Sequence, residues 1–355
     1  MASLLERKLI VVTGKGGVGK STVASAIGLA AAKQGLRTIV VELGAQHHLP
    51  DLFAADGFGP NGPNLTMRAD GNEHSHPGHR PDHHDGKEIE LQQRLWTTSI
   101  DPDRALGEWL QTLTGRISAR LLASSSTFQY FAAAAPGVKE LVSMVKLREL
   151  CEGRGAAKSG SSDSSRESRG RVTYDLVVLD APASGHALAM LRSPQTFSAI
   201  VRVGPLAEQA QALRELLEDA RRSAYVAVTH ASEMAVTETL ELEEGLRSEL
   251  DRDLDAVIVN GTMPRRFSRQ DLERIALASR DGGDGADANV ASNAVRIART
   301  VNDRARVQLA QIARLRRQRF AGGSPPAVLT VPFAFVPVFD LDAVRRIGDR
   351  LGGKI

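Results

Sequence analysis

Residues Val12–Thr22 read VTGKGGVGKST, and the reading of this stretch decides the fold. Gly14 to Ser21 satisfy the pattern Gly-x-x-x-x-Gly-Lys-Ser/Thr, with the apolar run LIVVT leading in and STVASAIGLAAAKQG leading out. The first flank has the character of a strand and the second that of an amphipathic helix, which is the setting a phosphate-binding loop requires. The glycines let successive N–H groups converge on phosphate oxygens at a helix N-terminus, where the helix dipole favours an anion. Gly14, Lys15, Gly16, Gly17, Val18, Gly19, Lys20, Ser21 and Thr22 are therefore the candidate ATP-binding residues. Within them, Lys20 is placed to meet the β- and γ-phosphates and Ser21 to ligate Mg²⁺.

Such a loop needs one lysine, and this one has two. Lys15 sits at its start, where the side chain projects over the γ-phosphate edge and does not fold back easily onto its own site. A cation in that place can stabilise transferred charge across a two-fold interface, as an arginine finger does when supplied in trans. The second lysine argues for a dimer.

Outward from the loop, apolar runs predict strands at 8–13, 38–43, 175–180, 225–229, 255–260 and 327–331. Each is nearly continuous in Val, Ile and Leu, as in a parallel sheet covered on both faces. Helical patterns at 21–34, 206–222 and 236–250 alternate with them. The expected fold is a single α/β P-loop NTPase domain over 1–355, doubly wound around a mostly parallel sheet. An Ala/Leu-rich block, 103–152, reads as a helical subdomain inserted in it. Residues 54–88, 153–171 and 279–293 have the composition of solvated loops and read as flexible insertions. The histidines of the first, His74, His76, His79, His83 and His84, read as part of that loop rather than as a metal site.

Bulk composition narrows the classes. With 42% hydrophobic residues among 355, the chain can bury a large core. Net charge is only +3, and arginines are interleaved with acids, so no nucleic-acid partner is expected. The lone cysteine, Cys151, excludes an intrachain disulfide and a multi-cysteine metal site within one chain. No apolar run of about 18 residues occurs, so no integral membrane segment is expected. The N-terminal MASLLERKLIVVTG reads as a first strand rather than a secretory segment, and the expected location is cytoplasmic.

The form KGGVGKST at 15–22 resembles the deviant P-loop of dimeric ATPases, a group that includes the partition and division-site ATPases and nitrogenase iron protein. Later segments choose the branch. TYDLVVLDAPASGHALAMLRSP (173–194) is similar to switch II of the arsenite-pump and tail-anchored-protein targeting ATPases, with Asp180, Pro182, Ser184, Gly185 and His186 in the motif's places. SIDPDRALGEWL (99–110), PGVKELVSMVKL (136–147) and VTHASEMAVTETLELEEGL (228–246) resemble the same branch. DAVIVNGTMP (255–264) does so too, and the resemblance implies that its Asn260 hydrogen-bonds adenine. It also implies that Asp180, at a strand's carboxyl end, holds Mg²⁺ through water and reports the γ-phosphate.

Departures from the family pattern bear on function. There is no Cys-x-x-Cys pair for a dimer-bridging zinc, and one cysteine supplies no arsenite site. The helical block holds one methionine, Met144, where a groove for transmembrane cargo favours several. After the second strand the family places Asp-Pro-Ala-His, whose Asp orients the attacking water. In VVELGAQHHLPDLF, His47, Leu49, Asp51 and Phe53 stay in register but Gly44 stands at the Asp position. Glu42, two residues earlier on the same strand face, and His47 are the candidate substitutes. The resulting expectation is an ATP-driven homodimeric or heterodimeric switch acting on an unknown protein client, with Lys15, Lys20, Asp180 and Glu42 as catalytic residues and Ser21 and Asp180 at Mg²⁺. Two alternatives stand beside it: a hydrolysis-deficient subunit paired with an active paralogue, and a partition- or division-site-type ATPase.

Overall fold

The computed structural model describes residues 3–44, 48–55, 88–114, 137–153, 173–200, 205–278, 286–318 and 326–355. Its centre is a sheet of eight strands: β1 (Leu9–Gly14), β2 (Thr38–Leu43), β3 (Ile89–Gln92), β4 (Leu95–Ile100), β5 (Leu176–Ala183), β6 (Ser223–His230), β7 (Ala256–Thr262) and β8 (Ala327–Pro332). They lie in the order β3-β4-β2-β5-β1-β6-β7-β8. Every neighbouring pair is parallel except β3 with β4, an antiparallel edge. The six predicted strands are all present; β3 and β4 were not predicted, because LQQRLWTTSI carries polar residues that interrupt the apolar run. β3, the edge strand, needs less apolar character, since one of its sides faces no neighbour; β4 is flanked by β3 and β2, and buries Thr97, Thr98 and Ser99 in place of apolar residues.

Ten helices accompany the sheet among the described residues: α1 (Lys20–Lys33), α2 (His48–Ala55), α3 (Pro102–Thr114), α4 (Val138–Glu152), α5 (Ser184–Ile200), α6 (Pro205–Glu218), α7 (Glu233–Leu250), α8 (Arg269–Ala278), α9 (Ala286–Arg317) and α10 (Leu341–Gly352). Two apolar cores sandwich the sheet. On one face Ile10, Val12, Val40, Val178 and Val226 meet α1, Leu49 and Phe53 of α2, and α10. On the other, Leu9, Val11, Val41, Val177 and Leu179 meet residues of α3 to α7 and of α9. Alternate residues of one strand thus feed opposite cores, which is why the central strands read as unbroken apolar runs.

Three expectations change in detail. Residues 286–293, read as loop, form the first turns of α9; Ala286, Ala288 and Ala291 among the polar residues favour the helix against the loop-like composition there. The remainder of that stretch, 279–285, lies outside the described residues, as do 56–87 and 154–172 of the other two insertions. Ala54 and Ala55 close α2, and Glu88 accepts a hydrogen bond from Tyr174 Oη. Within the helical block, Leu141, Met144 and Leu147 of α4 belong to the core shared with the sheet, so Met144 is a core side chain rather than part of a surface groove. At the C-terminal end, Leu341, Val344, Ile347 and Leu351 share one buried face as their spacing predicts. That face packs mainly on α1, where Gly348 comes so close that a Cβ would lie 2.7 Å from the Ala26 carbonyl oxygen.

Candidate functional site

β1 delivers the glycine loop to the carboxyl edge of the sheet between β5 and β6. Val12 lies opposite Asp180 on one side and Val226 on the other. Gly14 adopts φ +143°, and a Cβ there would stand 2.0 Å from the Val228 carbonyl oxygen. Only glycine lets the chain turn against β6 at this point. Thr13 Oγ1 donates to the Pro182 carbonyl at 2.9 Å, tying the loop's entry to the end of β5.

The loop's exit is built for an anion. Gly19 (φ +91°) is the residue before α1, and no side chain caps that helix. A cap would consume N–H groups that here remain directed along the dipole toward the loop. Gly16 and Gly17 are exposed, and a Cβ on either would enter open space. Lys20 and Ser21 open the helix, half-buried beneath this cradle. Desolvation holds the Lys20 ammonium below its ordinary pKa, while Asp180 and Glu238 pull it back up. A half-buried cation at an uncapped helix start, within electrostatic reach of two carboxylates and beside exposed glycines, fits a polyphosphate. Lys20 Nζ meanwhile donates to the Lys15 carbonyl at 3.2 Å.

Asp180 lies opposite both Val12 of β1 and Glu42 of β2. It stands two residues beyond Val178, which packs on the α1 side, so its carboxylate faces the start of α1 where Ser21 sits. No group of three His, Cys, Asp or Glu side chains suited to a metal occurs among the described residues. One carboxylate with one hydroxyl is the donor set of a Mg²⁺ that takes its other ligands from phosphate and water.

The other predicted residues are placed less simply. Asn260, on β7, donates from Nδ2 to the Val18 carbonyl at 2.9 Å and abuts Gly19. Its amide is part of the loop's frame. Glu42 is 4% exposed and accepts from the Leu49 N–H at 3.2 Å, near the start of α2. That contact makes it an anchor for α2. Gly44 has φ +106°, and its N–H donates to the Ile100 carbonyl at 3.0 Å. His47 lies outside the described residues.

Two features were missed in the sequence. Glu238, on α7, pairs with Lys15 Nζ at 2.9 Å and accepts from Ser184 Oγ; nothing in its helical setting distinguishes it from the neighbouring Glu241, Glu243 and Glu244. Beyond β8, Phe333 and Phe335 lie edge to face with centroids 5.0 Å apart, and Arg266 stacks over Phe335 at 5.1 Å. Phe333 N–H donates to the Thr262 carbonyl, so the segment bearing these exposed rings lies beside the end of β7, two residues beyond Asn260.

The family model for anion-transporting ATPases matches residues 7–205, which carry the loop, Glu42 and Asp180. The chain belongs to this family. It is similar to the ATPase BagA of Mycobacterium tuberculosis, 25% identical over 271 residues, 76% of this chain and 69% of the relative. ATPase GET3C of Arabidopsis thaliana is 23% identical over 314 residues, 76% of this chain and 70% of the relative. ATPase ASNA1 homolog 1 of Paramecium tetraurelia is 27% identical over 187 residues, 53% of this chain and 44% of that protein. The branch inferred from the switch-II and β7 segments is therefore the family found. Among the described residues no helix is long and apolar enough to cross a membrane.

Proposed function

We propose that this member of the family is an ATP-binding and ATP-hydrolysing switch that works in the cytoplasm as a pair of P-loop subunits, identical or paralogous, on a protein client. The observation that carries the reading is the uncapped start of α1, with the half-buried Lys20 and Ser21 opening the helix and the exposed Gly16 and Gly17 before it. In it, Gly14–Thr22 cradle the phosphates, Lys20 meets the β- and γ-phosphates, Ser21 and Asp180 hold Mg²⁺, and Asn260 with the Phe333–Phe335 face receives the base. Bound Mg²⁺ would neutralise charge on the phosphate oxygens. Lys15 acts on the partner's site.

The trans role is tested by mixing Lys15→Ala chains with Lys20→Ala chains, which leaves one composite site with both lysines. Partial recovery of ATPase activity is expected; none, with an active wild type, refutes the dimer reading.

A second reading is favoured by one place in the fold. Gly44 offers no carboxylate, and Glu42 is engaged with α2. Losing a water-orienting group costs on the order of 10²–10⁴-fold in rate. The chain is then a slow ATPase with ordinary ATP affinity, a regulatory subunit beside an active paralogue. Single-turnover hydrolysis decides: brisk turnover by the isolated chain removes this reading.

A further inference from the structure

Glu238 joins three segments that are far apart in the chain. Its Oε2 faces Lys15 Nζ at 2.9 Å in the glycine loop, and its Oε1 accepts from Ser184 Oγ at the head of α5. Ser184 is buried and directly follows β5, four residues after Asp180. The Lys15 ammonium thus points at a carboxylate of its own subunit. We propose that Glu238 is the positioning residue for Lys15, a latch that keeps the ammonium within its own subunit until a phosphate competes for it, and that its release is passed through Ser184 to the turn after Asp180. The proposal rests on the reading of Lys15 as a phosphate-directed cation.

The competition has the right balance. The two side chains keep 35% and 28% of their surfaces exposed, and a pair so wetted is weak. A phosphate carries more charge and more acceptor oxygens than one carboxylate, so it takes the ammonium. Hydrogen bonds from Ser184 and Lys15 hold the Glu238 carboxyl below the usual range, so it is a ready anion. Once Lys15 leaves, Ser184 is the remaining partner, and the carboxylate is free to shift with it. A static clip between α7 and the loop would show the same contacts but would not respond to nucleotide.

The test is a double-mutant cycle of Lys15→Ala and Glu238→Gln on the full chain, read by thermal melting with and without Mg²⁺ and a nonhydrolysable ATP analogue. Gln retains an acceptor for Ser184, so the fold is preserved. Without nucleotide, the two changes should be non-additive by about 1 °C; with the analogue they should become additive. Acylation of the Lys15 amine, followed by mass spectrometry, should rise about threefold in Glu238→Gln without nucleotide. It should match wild type with the analogue. Coupling that persists unchanged with bound analogue, or is missing without it, overturns the latch. Light scattering on the same samples separates the two ideas: coupling lost while the chain stays monomeric upholds the latch and removes the trans role. A wild type that shows no calorimetric heat with the analogue overturns both.

Discussion

Two turns leave the sheet on either side of β5, and they are built in opposite ways. The turn after β1 is held at its entry and its exit, while Gly16 and Gly17 at its crown stay exposed. Gly14 is pressed against β6, Gly19 against Asn260, Thr13 is tied to Pro182, and both lysines have partners. The turn after β2 is fixed at its base: Glu42 draws in the start of α2, while a Cβ added to Gly44 would meet nothing within 4 Å among the described residues. A site for a fixed anion needs donors that do not reorganise, and the first turn supplies them. At the second turn the resemblance to the family leads one to expect a water-orienting Asp, and the sequence has Gly44 there.

The largest effect should come from Gly14→Ala. A Cβ 2.0 Å from a backbone carbonyl has no flexible neighbour to displace, so the variant should lose on the order of 4 kcal/mol or more, or fail to fold. Near-native urea unfolding of that variant would show that the first turn has slack. Next is Lys20→Ala, which removes the buried cation and leaves the frame intact. ATP affinity should fall about 100-fold by calorimetry with an unchanged melt; undiminished affinity would break the assignment of the cradle. In the second turn, Glu42→Ala should cost about 2 kcal/mol by leaving the Leu49 N–H without its acceptor in a buried place. Glu42→Gln should be milder and should leave single-turnover hydrolysis within about twofold of wild type, whereas a collapse of rate on the order of 10²-fold would make Glu42 the relocated carboxylate. The smallest is Gly44→Ala, about 1 kcal/mol, paid only as backbone strain at φ +106°. Gly44→Asp carries the same strain, and a faster single turnover in spite of it would identify the second turn as a crippled catalytic one.

The same contrast governs what was legible in the sequence. The first turn was readable almost residue by residue, because phosphate binding at a helix start demands glycines, a lysine and a hydroxyl at fixed local spacing. Five of the six predicted strands, β1, β2, β5, β6 and β7, were legible for a related reason: burial on both faces forces unbroken Val, Ile and Leu; β8 was legible from its apolar AVLTV run although it lies at the sheet edge with only Val331 of that run buried. β3 and β4 were not: β3 is a short, half-exposed edge strand, and β4 fills its buried positions with Thr97, Thr98 and Ser99, which break the apolar run. Asn260 was placed at the site by resemblance, yet its hold on the Val18 carbonyl is a meeting of strand β7 with the loop that local spacing does not encode. Glu238 was hidden for the same reason. On a helix with many glutamates, its partner is chosen by the packing of α7 beside β1. Glu42 illustrates the converse: strand periodicity gave its face correctly, but only the position of α2 reveals that its carboxylate is engaged.

The tie between Thr13 and Pro182 joins residues 169 apart in the chain. β1 has its two neighbours in β5 and β6, both far downstream. During synthesis at about 5–20 residues per second, LIVVT therefore waits about 10–30 s before either lateral partner has been made. Until then the loop has no frame, and an apolar strand stands with both edges unpaired. ATP cannot guide the early stages of folding, because the N-terminal segment that binds it is completed late. Ribosome-stalled chains ending before β5 should consequently be cut readily by protease with or without ATP, and nucleotide protection should first appear in chains long enough to release β6.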